Sequence, residues 1–152
     1  MGEHHPSRPV DEAQSLSEHV AERMFASDRA SQSLGMAIAE VRPGAAKVTM
    51  SVRSDMVNGH AICHGGFIFA LADSAFAFAC NSYNFNTVAQ GCSIEYLAPA
   101  RENDVLTAVA QERSLSGRTG VYDIEVTNQR GETIALFRGK SYRIKGHIVE
   151  GV

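Results

Sequence analysis

The stretch HGGFIFALADSAFAFAC, which runs from His64 to Cys80, decides the architecture of this chain. It predicts a helix from His64 to about Tyr83, roughly five turns long, that is apolar on every face except at Asp73. Between residues 55 and 95, the only other ionisable acidic or basic side chains are two histidines. An ionised carboxylate among phenylalanines costs several kcal/mol unless something pairs with it. Asp73 is therefore either paired or has a chemical task.

Strand-like segments lie on both sides of this helix. Two alternating runs precede it and are joined by Pro43-Gly44, which predicts a hairpin, and a helical pattern over residues 11–30 comes before them. Four strand-like stretches follow the helix, at residues 88–97, 105–114, 119–129 and 133–144. This order predicts an α+β fold in which a long antiparallel sheet wraps one central helix. A single sheet covers only one side of an apolar helix, so a second copy of the chain is expected to cover the other.

Length and composition restrict the function classes. The 152 residues predict a disordered segment at 1–12 and one domain at 13–147. A formal net charge of −3 argues against a nucleic-acid partner, although residues 138–145 carry a modest basic bias that suits a small anionic ligand or a solvated strand. The longest apolar segment, 67–79, is too short to span a membrane, and residues 1–10 do not resemble a signal peptide. An odd count of three cysteines predicts reduced thiols and a cytoplasmic protein, with Cys80 and Cys92 as small buried hydrophobes.

The start of the helix predicts a site for negative charge. Gly65 and Gly66 open it, where backbone N–H groups have no intrahelical partner and the helix dipole is positive. Glycine lets a ligand atom approach this backbone closely, so the terminus can stabilise charge developing on a carbonyl oxygen. Asp73 lies about 12 Å further along the helix axis, too far to contact the same carbonyl group. Two antiparallel helices remove this distance, which predicts two active sites per dimer, each shared across a two-fold interface.

The run NGHAICHGGFIFALADSAFAFACNS resembles the signature of the hotdog-fold acyl-CoA thioesterases, and within them the phenylacetic-acid-degradation (PaaI) group. The spacing of Asn58, His64, Gly65 and Asp73 matches this pattern, and the later YLAPA fits it as well. The resemblance implies a hotdog fold, homodimers that assemble into homotetramers, and hydrolysis of aromatic acyl-CoA thioesters without metal or bound cofactor. It assigns Asp73 as general base or nucleophile, the Gly65 N–H as the group that polarises the carbonyl, and His64 and Asn58 as positioning residues.

The resemblance also indicates a second part of the site at the turn SLSGRTG. Similar Gly-Arg turns in hotdog thioesterases contact the phosphates of coenzyme A, which implies this role for Gly117, Arg118 and Thr119. The same residues also suit an ordinary hairpin turn.

Each candidate residue also has a structural interpretation. Asp73 suits a carboxylate paired with a nearby hydroxyl or arginine, His64 a helix N-cap, and Asn58 a turn residue in an Asn-Gly dipeptide. A metal site formed by His60, Cys63, His64 and Asp73 is disfavoured. The two histidines precede the helix instead of sharing one of its faces, and no fourth ligand with zinc-like spacing is present.

The sequence therefore predicts a cytoplasmic acyl-CoA thioesterase that acts on phenylacetyl-CoA or its ring-hydroxylated relatives. The alternatives are a hotdog dehydratase of 3-hydroxyacyl thioesters and a non-catalytic module that binds acyl-CoA. The preferred acyl group, the choice between base and nucleophile for Asp73, and the choice between dimer and tetramer stay open at this point.

Overall fold

The computed structural model describes residues 9–152 of the chain. Three helices and six strands follow one another in this part: α1 Pro9–Ser27, α2 Arg29–Ser33, β1 Ala37–Arg42, β2 Ala45–Ser51, α3 Gly65–Cys80, β3 Phe85–Tyr96, β4 Val105–Ser116, β5 Thr119–Thr127 and β6 Thr133–His147. One short 3-10 turn, Ser54–Met56, lies between β2 and α3. The α+β architecture predicted from the sequence is confirmed.

The strands form one antiparallel sheet in the order β1-β2-β4-β5-β6-β3. β1 and β3 are thus its two edges. β3 is paired along its whole length with β6, from Phe85 opposite His147 to Tyr96 opposite Ala135. The last strand of the chain therefore lies between β5 and the strand that directly follows α3, and β3 keeps one edge unpaired within the described chain.

The helical region at the start of the chain differs from its prediction. The sequence predicts one helical segment over residues 11–30, whereas the chain breaks at Asp28 into α1 and α2. The Asp28 side chain accepts the Ser31 N–H at 2.9 Å and so caps α2. Of the segment predicted to be disordered, residues 9–12 form the first turn of α1, and residues 1–8 lie outside the described part.

The central helix α3 packs its apolar side chains against the sheet. Its most buried members are at most 4% exposed, and they are Ile68, Leu71, Ala72, Ala75, Phe76, Phe78, Ala79 and Cys80. The helix ends at Cys80 and not at Tyr83, because the Asn81 side chain bonds to the backbone instead of to solvent. Its amide nitrogen donates to the Ala77 and Thr87 carbonyls at 2.9 and 3.1 Å, and its oxygen accepts the Thr87 N–H at 2.9 Å.

One side of α3 is only partly covered. Ala70, Asp73 and Ala77 are half-buried and follow one another at helical spacing, so they form a single stripe along the helix. Nearby β3 exposes Val88 and Tyr96 by 46% and 50%. A single copy of residues 9–152 therefore leaves open the face for which the sequence predicts a second copy.

The three cysteines are free, and two of them, Cys63 and Cys80, are buried. Burial raises the pKa of Cys63 to about 11 and that of Cys80 to about 12, which disfavours the nucleophilic thiolate. Cys92 was predicted to be buried and is exposed instead, because it lies on the edge strand β3. No helix within residues 9–152 is both long and apolar enough to cross a membrane.

Candidate active site

The loop before α3 is organised by Asn58. Its side-chain oxygen accepts the His60 N–H at 2.9 Å, and its own backbone N–H donates to the Ile62 carbonyl at 2.8 Å. A bridge between Val57 and Cys63 closes the loop. The turn role considered for Asn58 is thus observed. Because Asn58 also lines the cavity described below, the same residue fixes the loop and borders the site.

His64 is the N-cap of α3. Its Nδ1 accepts the Gly66 N–H at 2.9 Å, which satisfies one of the free donors of the first helical turn. A ring nitrogen that accepts carries no hydrogen, so the neutral imidazole has its hydrogen on Nε2. The exposed His64 ring therefore presents an N–H donor beside the helix start.

Gly65 has a free backbone donor. Within residues 9–152 its N–H makes no hydrogen bond, although the next amide, that of Gly66, is bonded to His64. The Gly65 carbonyl accepts the Tyr96 hydroxyl at 2.8 Å. Gly65 and Tyr96 both line an open cavity of about 630 Å³, whose apolar wall includes Ile62, Ile68 and Leu97. The arrangement provides one unbonded N–H at the positive end of a helix dipole.

Asp73 lies in the middle of α3, and within residues 9–152 no side chain is paired with its carboxylate. In the described part of the chain it makes neither an ion pair nor a hydrogen bond, so the pairing with a hydroxyl or arginine is not observed there. Burial raises the pKa of the Asp73 carboxyl above its ordinary value of 3.8. Eight residues of helix separate it from Gly65, about 12 Å along the axis, so one chain does not bring the two groups together.

The predicted coenzyme A residues form the β4–β5 turn. Gly117 has a φ of +58°, which a tight turn of this kind requires, and Arg118 is exposed. The Arg118 carbonyl accepts the Arg143 N–H at 2.8 Å, and the Arg143 guanidinium lies 4.4 Å from the centre of the Phe85 ring. Two residues whose guanidinium groups form no ion pair with a carboxylate in the described part of the chain are thus joined through their backbones, with Thr119 at the start of the adjoining strand.

One nearby arginine is already paired with a carboxylate. Arg138, which belongs to the basic segment noted in the sequence, forms a bidentate ion pair with Asp123 at 2.7 and 2.9 Å. Among residues 9–152, no three His, Cys, Asp or Glu side chains are grouped so that they would hold a metal ion. A cavity of about 810 Å³ lies between α1 and β1 and contains none of the predicted site residues.

The sequence does not single out Tyr96, which lies beside the site within the YLAPA segment. It indicates Arg143 only as one member of the basic segment that suits a small anionic ligand or a solvated strand. Contacts between distant parts of the chain distinguish these two residues. The Tyr96 hydroxyl donates to the Gly65 carbonyl of α3, and the Arg143 N–H donates to the Arg118 carbonyl. The sequence alone does not display these contacts.

Known proteins are similar to this chain in both sequence and fold. The sequence profile of the thioesterase superfamily matches residues 60–135. The acyl-coenzyme A thioesterase PaaI of Escherichia coli is 51% identical over 128 residues, which cover 84% of this chain and 91% of the relative. The solved structure of E. coli PaaI, from the phenylacetic acid degradation operon, superposes with a TM-score of 0.88 over 89% of this chain and 98% of that one, at 47% identity.

A more distant relative carries a ligand. A Streptococcus mutans protein solved with bound acetyl-CoA is 26% identical, with a TM-score of 0.71 over 74% of this chain and 90% of that one. These likenesses identify the chain as a member of the thioesterase superfamily, and within it as a PaaI-type acyl-CoA thioesterase of the hotdog fold.

Proposed function

We propose that the protein hydrolyses aromatic acyl-CoA thioesters, phenylacetyl-CoA or its ring-hydroxylated relatives, at a site shared by two copies of the chain. The observation that carries this proposal is the isolation of two complementary groups on one helix. The Gly65 N–H has no acceptor and Asp73 has no partner within residues 9–152, and about 12 Å of helix separates them. Two antiparallel α3 helices bring Gly65 of one copy opposite Asp73 of the other.

In the proposed reaction, the Gly65 N–H donates to the thioester carbonyl oxygen and stabilises its negative charge as the carbonyl carbon is attacked. The Asp73 carboxylate either takes a proton from the attacking water or attacks directly to form an anhydride that water then opens. The carbon–sulfur bond breaks, and the coenzyme A thiolate leaves and takes up a proton. The products in both cases are the free acid and coenzyme A, and no metal or bound cofactor takes part.

The surfaces that a partner would cover support a homodimer. The half-buried stripe of Ala70, Asp73 and Ala77 lies on α3, and the neighbouring strand β3 has an unpaired edge. An unpaired strand edge of 12 residues is a ready template for a second strand. We infer a two-fold dimer that pairs at this edge and assembles further into a homotetramer, as the family resemblance implies.

The turn at Gly117, Arg118 and Thr119, together with Arg143, offers the charge that coenzyme A phosphates need. A guanidinium provides paired donors for phosphate oxygens, and neither arginine is neutralised by a carboxylate in the described part of the chain. The bound acetyl-CoA of the S. mutans relative supports a coenzyme A ester as ligand. Free thiols together with a coenzyme A substrate support a cytoplasmic location.

The test is a thiol-release assay over aromatic and aliphatic acyl-CoA substrates, with wild-type protein and Asp73→Asn. We expect phenylacetyl-type esters to be preferred, and the variant to fold normally while kcat falls by about 100-fold or more. Full activity of Asp73→Asn would contradict the assigned role. Dehydration of a 3-hydroxyacyl thioester without thiol release would identify a dehydratase instead, and tight binding without turnover a binding module.

A further inference from the structure

The peptide group between Gly65 and Gly66 is held at both ends by side chains. Its carbonyl oxygen accepts the Tyr96 hydroxyl at 2.8 Å, and its N–H donates to His64 Nδ1 at 2.9 Å. His64 is the residue that directly precedes α3, and Tyr96 is the last residue of β3. One peptide plane is thus fixed from the helix side and from the sheet side at once.

Tyr96 also occupies the space that a side chain at position 65 would need. A Cβ built on Gly65 would lie 3.0 Å from the Tyr96 Cζ and hydroxyl oxygen and 3.3 Å from its Cε1. Contacts this short are tighter than ordinary van der Waals packing, so a side chain at position 65 would require the Tyr96 ring to shift by a few tenths of an ångström. Both the Tyr96 ring and Gly65 border the cavity of about 630 Å³.

The first turn of a helix is the part that most readily frays, since its N–H groups lack intrahelical acceptors. A donor to a developing oxyanion must lie within about 2.7–3.1 Å of the charged oxygen, and a misplacement of about 1 Å lowers catalysis strongly. The bond from Tyr96 restrains the residue whose own N–H is unbonded. We propose that Tyr96 is a positioning residue that holds the Gly65 amide in its catalytic orientation.

This inference rests on the proposed function, since it assigns Tyr96 a role through the Gly65 N–H. It predicts that the hydroxyl matters for turnover more than for substrate binding. Tyr96→Phe removes the donor and keeps the ring, so the cavity wall and the packing on Gly65 remain. The matched control is Tyr142→Phe, which removes a hydroxyl from an exposed tyrosine on β6.

Steady-state thiol release measures kcat and KM separately for these variants. We expect Tyr96→Phe to lower kcat roughly three- to ten-fold, the size of one lost hydrogen bond, while KM stays within about two-fold. Tyr142→Phe should behave as wild type. An unchanged kcat in Tyr96→Phe overturns the inference, and so does an equal loss in both variants.

A double-mutant cycle separates positioning from general stabilisation. Gly65→Pro lacks the amide hydrogen, so adding Tyr96→Phe should lower its residual kcat by less than about two-fold. A similar loss in both backgrounds would show that Tyr96 does not act through this amide. Wild-type protein without thiol release, or Gly65→Pro as active as Gly65→Ala, would instead refute the proposed function itself.

Discussion

Gly65 combines three properties that no other residue type provides at the start of α3. It leaves room for the Tyr96 ring, it lets a carbonyl group approach the backbone, and it keeps an amide hydrogen. The third property is separable from the other two, because proline also suits the first position of a helix. The preceding His64 has a φ of −59° and a ψ of 132°, an extended conformation that a following proline favours.

Gly65→Pro and Gly65→Ala therefore form a matched pair of variants. Both add a Cβ beside the far end of the half-exposed Tyr96 side chain, but only proline removes the N–H. We expect the proline variant to have a kcat about 100- to 1,000-fold below that of the alanine variant, as for loss of one oxyanion donor. Thiol release gives kcat, and thermal unfolding checks that both variants fold. Equal kcat values would exclude the amide as the polarising group.

The raised pKa of Asp73 predicts the pH dependence of both activity and stability. Catalysis needs the carboxylate, so kcat/KM should fall as the pH decreases through a value above 3.8. Between the unfolded and the folded pKa, the folded state binds more protons, so the free energy of unfolding decreases as the pH rises through this window. Asp73→Asn does not titrate there. Its stability relative to wild type should therefore increase from acid to neutral pH, as measured by urea unfolding at several pH values.

If wild type and Asp73→Asn differed in stability by the same amount across this pH range, the burial of an unpaired carboxylate at position 73 would be contradicted.

The sequence indicates this burial because the neighbours of Asp73 are apolar. It also left pairing open, since the partners of a side chain depend on elements far away in the chain. The hydroxyl at position 74, next to Asp73, is bonded instead to Ser31 of α2 at 2.8 Å.

Among the elements, α3 and the six strands were predictable because their periodicity is strong, whereas their ends were not. The sequence predicts that the strand after α3 begins at residue 88, yet Phe85 already pairs with His147 at the start of β3. Asn84 takes a φ of +73° and bonds through its side chain to both backbone groups of Val149, at 2.8 and 2.9 Å. Asn84 therefore anchors the segment around Val149. This is a long-range contact that the local sequence does not reveal.

The contact between α3 and β6 depends on a missing side chain. A Cβ at Gly139 would lie 2.7 Å from two ring carbons of Phe76, which is 1% exposed and packs edge-on against Tyr122. A ring enclosed in this way has no room to move, so Gly139→Ala should lower the free energy of unfolding by about 1–3 kcal/mol. Chemical denaturation measures the change, and Gly59→Ala, whose Cβ would have no neighbour within 4 Å, is the control.

A second variant tests the cause of this effect. Phe76→Leu removes the ring carbons that Gly139→Ala would meet, so the double variant should be more stable than the sum of the two single losses implies. Additive losses would show that Phe76 is not the obstacle.

At the scale of the whole molecule, the open side of α3 is the feature that the sequence anticipated most directly. A helix without a polar face needs cover on all sides, and one sheet provides half of it. The partly exposed stripe on α3 agrees with this reasoning. Which surface covers α3, and in which orientation, depends on the shape of the molecule over many residues. The periodicity of the sequence does not encode that shape.

Complementation between two inactive variants tests the shared site directly. In a mixed dimer of Asp73→Asn and Gly65→Pro, one site contains both changes, whereas the other combines an intact Asp73 with an intact Gly65 from the opposite copy. Random reassociation makes half of the dimers mixed, so about one quarter of wild-type activity should return although neither variant is active alone. Each variant denatured and renatured alone is the control, with thiol release as the readout. If each site were built within one chain, every site in the mixture would keep one change and the activity would stay at the level of the separate variants.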